Sequence, residues 1–109
     1  MEDDFSFLIP NGFYERTDDD KIQITISNEK EKYSITIYKN GTFDYEYQEF
    51  ASLRTIAEKG LKNPFVDKYD YAVIKDFIET EKNISLKTEF LYDVVFKFFK
   101  MIIKKQDKN

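Results

Sequence analysis

A chain of 109 residues is the size of one domain built on one hydrophobic core, and its 17% aromatic content excludes the composition of intrinsic disorder. It contains neither cysteine nor histidine, which excludes disulfides, thiolate zinc sites, iron–sulfur clusters, cysteine nucleophiles and the usual neutral-pH acid or base. The net charge of −4 is unevenly divided: residues 1–50 hold 12 acids against 5 bases and residues 51–109 hold 9 against 12, without the concentrated basic face that nucleic-acid binding needs.

The segment Met1-Glu2-Asp3-Asp4 is acidic where a secretory signal is basic, and no apolar run reaches the roughly 20 residues that span a bilayer. A cytoplasmic location without a membrane partner is the expectation. The sequons Asn40-Gly41-Thr42 and Asn83-Ile84-Ser85 then carry no weight. Abundant Lys, Ile, Phe, Tyr and Asn suit the AT-rich coding sequence of a low-GC bacterium or its phage. Phe5 to Ile9 is apolar but is broken by Pro10-Asn11-Gly12, fitting an edge strand or a segment laid over the core. Phe13 to Thr17 predicts a strand that ends in a turn at Asp18-Asp19-Asp20.

From Lys21 to Gln48 three runs alternate with period two. Ile22, Ile24 and Ile26 share one face of the first. Tyr33, Ile35 and Ile37 share a face of the second, and Phe43, Tyr45 and Tyr47 a face of the third. A two-residue turn at Asn40-Gly41 sets Ile37 opposite Asp44 and Ile35 opposite Glu46, placing carboxylates on the apolar face. A three-residue loop, Lys39-Asn40-Gly41 with a left-handed glycine, instead pairs Ile37 with Phe43, Ile35 with Tyr45 and Tyr33 with Tyr47. The same logic pairs Ile26 with Tyr33 and Ile24 with Ile35 around a four-residue loop, Asn28 to Glu31.

After Gln48 the period changes. Phe50, Leu53, Ile56 and Ala57 fit a short helical stripe ended by Gly60 as a left-handed cap, and Asn63-Pro64 breaks the chain. A second helix is predicted over 70–82, with Ile74, Phe77 and Ile78 inward, Asp67 or Asp70 as N-cap and Asn83 as its stop. A third runs over 86–105 after Ser85 as cap. On it Glu89, Asp93, Lys97, Lys100 and Lys104 fall within an arc of roughly 80°, which turns Leu91, Val95, Phe98 and Ile102 to the core. Phe90, Met101, Phe96 and Ile103 flank the stripe, and an exposed flank would offer a homodimer or partner surface. The predicted class is α+β: a single domain over residues 1–109, with an antiparallel meander of three to four strands followed by about three helices packed on one face.

Chemistry-bearing motifs are few. Asp18-Asp19-Asp20 lacks the spacing and the glycine of a calcium loop, so no metal site is assigned. Ser27-Asn28-Glu29-Lys30 matches a Ser-x-x-Lys spacing but spans a hairpin loop, whereas that motif needs a helix. Glycines stand only at 12, 41 and 60, and none builds a phosphate-cradling loop. No cofactor and no catalytic residue is assigned, and the chain is read as a non-enzyme. The predicted binding surface is the outer face of the meander, with Tyr38 as aromatic anchor and Asp44, Glu46, Asp18, Asp19 and Asp20 steering a basic partner protein. In size, acidity and general plan the chain resembles small bacterial immunity proteins, antitoxins and phage-encoded inhibitors. That resemblance implies stoichiometric occlusion of a protein partner. The alternative is a small-ligand or nucleotide-binding domain with an aromatic pocket between sheet and helices.

Overall fold

The strand propensity and alternation of residues 21–48 are realised as the centre of a sheet in the computed structural model. The structure describes residues 12–63 and 69–107, with side chains described throughout except at 12, 13, 96 and 99–107. Strands β1 (Gly12–Thr17), β2 (Lys21–Ser27), β3 (Glu31–Tyr38), β4 (Thr42–Glu49) and β5 (Arg54–Lys62) form one antiparallel sheet in the order β1-β2-β3-β4-β5. Helices α1 (Tyr71–Thr80) and α2 (Ile84–Asp107) follow. The α+β class and the antiparallel meander agree with the sequence; among the described residues, five strands and two helices stand where three to four and about three were expected.

The registers are those that keep the apolar face continuous. Ile37 faces Phe43, Ile35 faces Tyr45 and Tyr33 faces Tyr47. Ile26 faces Tyr33 and Ile24 faces Ile35. Gly41 closes the β3–β4 hairpin at φ 94°, where a side chain is strained, and its N–H donates to the Tyr38 carbonyl at 3.1 Å. On the inner face Ile22, Ile35, Ile37 and Phe43 are fully buried. They pack with Tyr71, Ile74 and Ile78 of α1 and with Leu91, Val94, Val95 and Phe98 of α2. The rings of Phe43 and Phe98 lie 4.6 Å apart, and Phe90 is half-buried, stacked on Phe77 at 4.2 Å. Ile102 and the flanking residues Phe96, Met101 and Ile103 lie outside the described side chains.

The helical reading of residues 50–60 is corrected. Leu53 takes φ 58°, its N–H donates to the Phe50 carbonyl, and the chain turns back into β5. Gly60 is left-handed as expected, at φ 71°, but it sits in a β-bulge between β4 and β5 rather than at a helix end. The bulge changes the phase of β5, so Ile56 and Leu61 face the core while being separated by five positions. A helical repeat and a bulged strand are alike over so short a run.

Asp70 caps α1 as predicted, its side chain accepting from the Val73 N–H at 2.9 Å. The helix ends at Thr80 with Glu81 as C-cap. Asn83, predicted as a stop, begins α2 instead: its side chain accepts from the Leu86 N–H and its carbonyl from the Lys87 N–H. Ser85 is therefore inside the helix and not its cap. Asp67 and the segment Phe5 to Ile9 lie outside the described residues. Among the described residues no helix is long and apolar enough to cross a membrane.

Two substitutions separate core packing from backbone strain. Phe43→Ala is expected to lower the free energy of unfolding in urea by about 3–5 kcal/mol. Leu53→Gly is expected to cost nothing and to gain up to ~1 kcal/mol, because an exposed leucine there holds a left-handed backbone.

Candidate functional site

The face of the sheet opposite the helices carries the alternate residues of each strand, and the registers order them into rows. Tyr14, Thr25, Ser34, Glu46 and Ala57 form one row across all five strands. Arg16, Gln23, Thr36 and Asp44 form the next, and Lys21, Tyr38, Thr42 and Lys62 lie toward the end. Most of these side chains are half-buried by their neighbours on the pleat, while Tyr14, Arg16, Glu46, Ala57 and Lys62 are exposed. The hydroxyls of Thr25 and Ser34 lie 3.2 Å apart. The surface is thus rich in hydroxyls, with Tyr14 on the edge strand β1 and Tyr38 at the end of the central strand β3.

One network organises it. The Tyr38 hydroxyl donates to Asp44 Oδ2 at 2.8 Å, and the Gly60 N–H donates to Asp44 Oδ1 at 2.8 Å. The bulge at Gly60 turns a backbone N–H of β5 toward the Asp44 carboxylate on β4, so a single carboxylate fixes both the tyrosine and the strand. The hydrogen bond to Asp44 holds the Tyr38 hydroxyl above the ordinary tyrosine value of 10, with desolvation adding to it.

Of the residues the sequence assigned to partner binding, Tyr38 and Asp44 are therefore in direct contact, and Glu46 lies one row away. Asp18, Asp19 and Asp20 form the β1–β2 turn at the same end of the sheet as Tyr38. The Asp18 N–H donates to the Lys21 carbonyl and the Lys39 N–H to the Asp20 carbonyl. The Tyr71 hydroxyl of α1 donates to the Asp18 carbonyl, and Arg16 Nε lies 3.6 Å from Asp18 Oδ1. Asp19 and Asp20 remain exposed. Sequence reasoning missed the bases: Arg16, Lys21, Lys32 and Lys62 share the outer face with Asp44 and Glu46. The face is mixed in charge. Alternation along β2 and β3 already carries Lys21 and Lys32 to this face, whereas Arg16 and Lys62 reach it only through the registers of β1 and β5.

A second polar cluster lies at the other end of the inner face. The Tyr47 hydroxyl is 2.9 Å from Glu31 Oε1 and 3.2 Å from Glu49 Oε2, and its ring lies 4.7 Å from that of the buried Tyr33. Burial is the main cause that lifts the hydroxyls of both Tyr33 and Tyr47 well above the usual tyrosine range. Glu49 also accepts from Ser52 Oγ at 2.8 Å, and this bond, with that from Tyr47, holds its carboxyl below the ordinary value. Tyrosines kept neutral beside carboxylates supply hydrogen bonds and no nucleophile, so the cluster joins the ends of β3 and β4. Among the described residues no three acidic side chains gather in a way that would hold a metal ion.

Comparison with protein-family models, curated proteins and solved structures returns no match to this chain.

Because the folded pKa of Tyr38 lies above 10, its bond to Asp44 contributes stability that is complete below pH 10 and is lost as the pH rises beyond it. The difference in alkaline phenolate absorbance between the native chain and Tyr38→Phe isolates this group. It is expected to titrate above 10 in the native background and to move back toward 10 in Asp44→Asn. A difference that titrates at the ordinary value in both backgrounds contradicts the network.

Proposed function

We propose that the chain is a non-catalytic protein-binding module that occludes a partner protein stoichiometrically through the outer face of its sheet, in the manner of an immunity protein, antitoxin or phage-encoded inhibitor. The observation that supports the reading most directly is the one-sided packing: both helices bury residues against the inner face, while the rows of Tyr14, Thr25, Ser34, Thr36, Tyr38 and Glu46 carry no covering element among the described residues. Tyrosine with small hydroxyl side chains is the composition of efficient binding surfaces. A tyrosine offers large contact area at low entropic cost, and serine or threonine adapts its hydrogen bonds.

The network around Asp44 supports the same reading. Tyr38 is held before any partner arrives, so less side-chain freedom remains to be lost on binding. Glu46, Asp19 and Asp20 are the exposed carboxylates that would steer basic groups of a partner, while Arg16, Lys21 and Lys62 require acids at the partner's rim. The partner is thus a protein with bases opposite Glu46 and the β1–β2 turn.

Affinity purification from the organism that encodes the chain, followed by mass spectrometry and light scattering of the recovered complex, tests this. The native chain is expected to retain one protein at equal stoichiometry, and Tyr14→Ala with Glu46→Lys to lose it while keeping its far-ultraviolet dichroism. Retention of the same protein by both forms removes the outer face from the account.

A further inference from the structure

The sheet is open at β5, whose residues are mostly exposed and which pairs only with β4 among the described residues. The hydrogen-bond phase of the meander fixes which of its groups point outward. The Phe50 N–H donates to the Lys30 carbonyl and the Asn63 N–H to the Gly41 carbonyl, so the even residues of β4 bond to β3 and the odd ones to β5. Tyr45, Tyr47 and Glu49 therefore bond to Glu58, Ile56 and Arg54. The backbone N–H and C=O of Thr55 and Ala57 face away from the sheet. Beyond Glu58 the bulge at Gly60 interrupts the edge, which leaves a regular stretch of five residues, Arg54–Glu58.

We propose that this stretch pairs antiparallel with the same stretch of a second copy, about a two-fold axis passing beside Ile56, to make a continuous ten-stranded sheet. The register follows from self-complementarity. With Ile56 on the axis, Thr55 and Ala57 of the two copies exchange their outward hydrogen bonds. Ile56 meets Ile56 on the inner face, and Arg54 meets Glu58 twice. A register centred on Glu58 sets two carboxylates against each other. One centred on Ala57 sets Ile56 against Glu58, and one centred on Thr55 sets Arg54 against Ile56. Each of the three forfeits the two ion pairs. Arg54 already lies opposite Glu49 within its own chain, and its planar guanidinium has donors for both carboxylates. A two-fold axis normal to the sheet turns both outer faces to the same side. The dimer would therefore present two copies of the proposed binding face together, although the pairing stands independently of any partner.

Sedimentation equilibrium of the full chain over a wide concentration range tests the pairing. The native chain is expected to pass from the 13.1 kDa monomer to a species of two chains. Ala57→Pro removes an outward N–H that β4 does not use, and is expected to stay monomeric with unchanged far-ultraviolet dichroism. Arg54→Glu sets like charges opposite one another and is expected to weaken association by about tenfold or more, and combining it with Glu58→Arg to restore association to within about threefold of the native value. A native chain that remains monomeric at the highest concentration, or a dimer that survives Ala57→Pro, overturns the proposal. A double exchange that stays as weak as Arg54→Glu alone, in a folded chain, overturns the register.

Discussion

The structure depends on one constraint: three consecutive strands with strictly alternating apolar residues have a single face that must leave water. Ile22, Ile24, Ile26, Tyr33, Ile35, Ile37, Phe43 and Tyr45 are all buried, and they form one surface only in the register observed. Sliding any strand by one residue turns its isoleucines or aromatics outward and its carboxylates or hydroxyls inward, and burying an unpaired carboxylate costs several kcal/mol by itself. The loops obey that constraint. The chain takes a three-residue loop at Lys39-Asn40-Gly41, with the glycine at positive φ, because the two-residue turn would bury Asp44 and Glu46.

The helices follow from the same surface. α1 lies against β1 and β2, and α2 brings Phe98 onto Phe43 of β4, so the two helices share the work of covering the sheet. β1, at the border of that cover, has polar residues where the other strands have apolar ones. Its Glu15 pairs with Lys87 of α2 at 2.5 Å and its Thr17 donates to Glu79 of α1 at 2.8 Å. Glu79 also accepts from Lys75, and these bonds hold its carboxyl below the ordinary value. At the margin, polar contacts partly screened from water orient the helices; in the middle, burial alone does so. At Tyr69, just before α1, the ring is buried edge-on to Phe90 while its hydroxyl reaches Asp93 of α2, so one side chain serves both purposes.

What was legible in the sequence reflects where a single physical signal dominates. β2, β3 and β4 alternate cleanly, and their β-branched and aromatic residues suit a pleated, half-buried surface. α1 was legible from Ile74 and Ile78 together with the Asp70 cap, and α2 from the buried set of Leu91, Val95 and Phe98 opposite exposed Glu89 and Asp93. β5 was not, because an edge strand buries little. Its apolar positions, Ile56, Ala57 and Leu61, are thrown out of phase by the bulge, and Leu53 occupies a left-handed turn position where glycine or asparagine is the usual signal. The candidate surface was half legible. Alternation placed Tyr38, Asp44 and Glu46 on the outer face, but the coupling of Asp44 to Gly60 requires a strand that was read as helix. Tyr14 and Arg16 belong to the face through the register of β1 with β2, which alternation within β1 does not set.

One face of the sheet is buried and the other open, and the absence of cysteine from the chain allows a direct measurement of that difference. Single variants Ile35→Cys and Glu46→Cys place a thiol on neighbouring strands at opposite faces. Their rates of alkylation, each compared with the same variant in denaturant, report access to solvent. The thiol at 46 is expected to react nearly as fast as in the unfolded chain, and that at 35 to be slowed on the order of 10³-fold or more, since it reacts only on opening of the core. Equal protection at the two positions would contradict a one-sided sheet and, with it, the binding face.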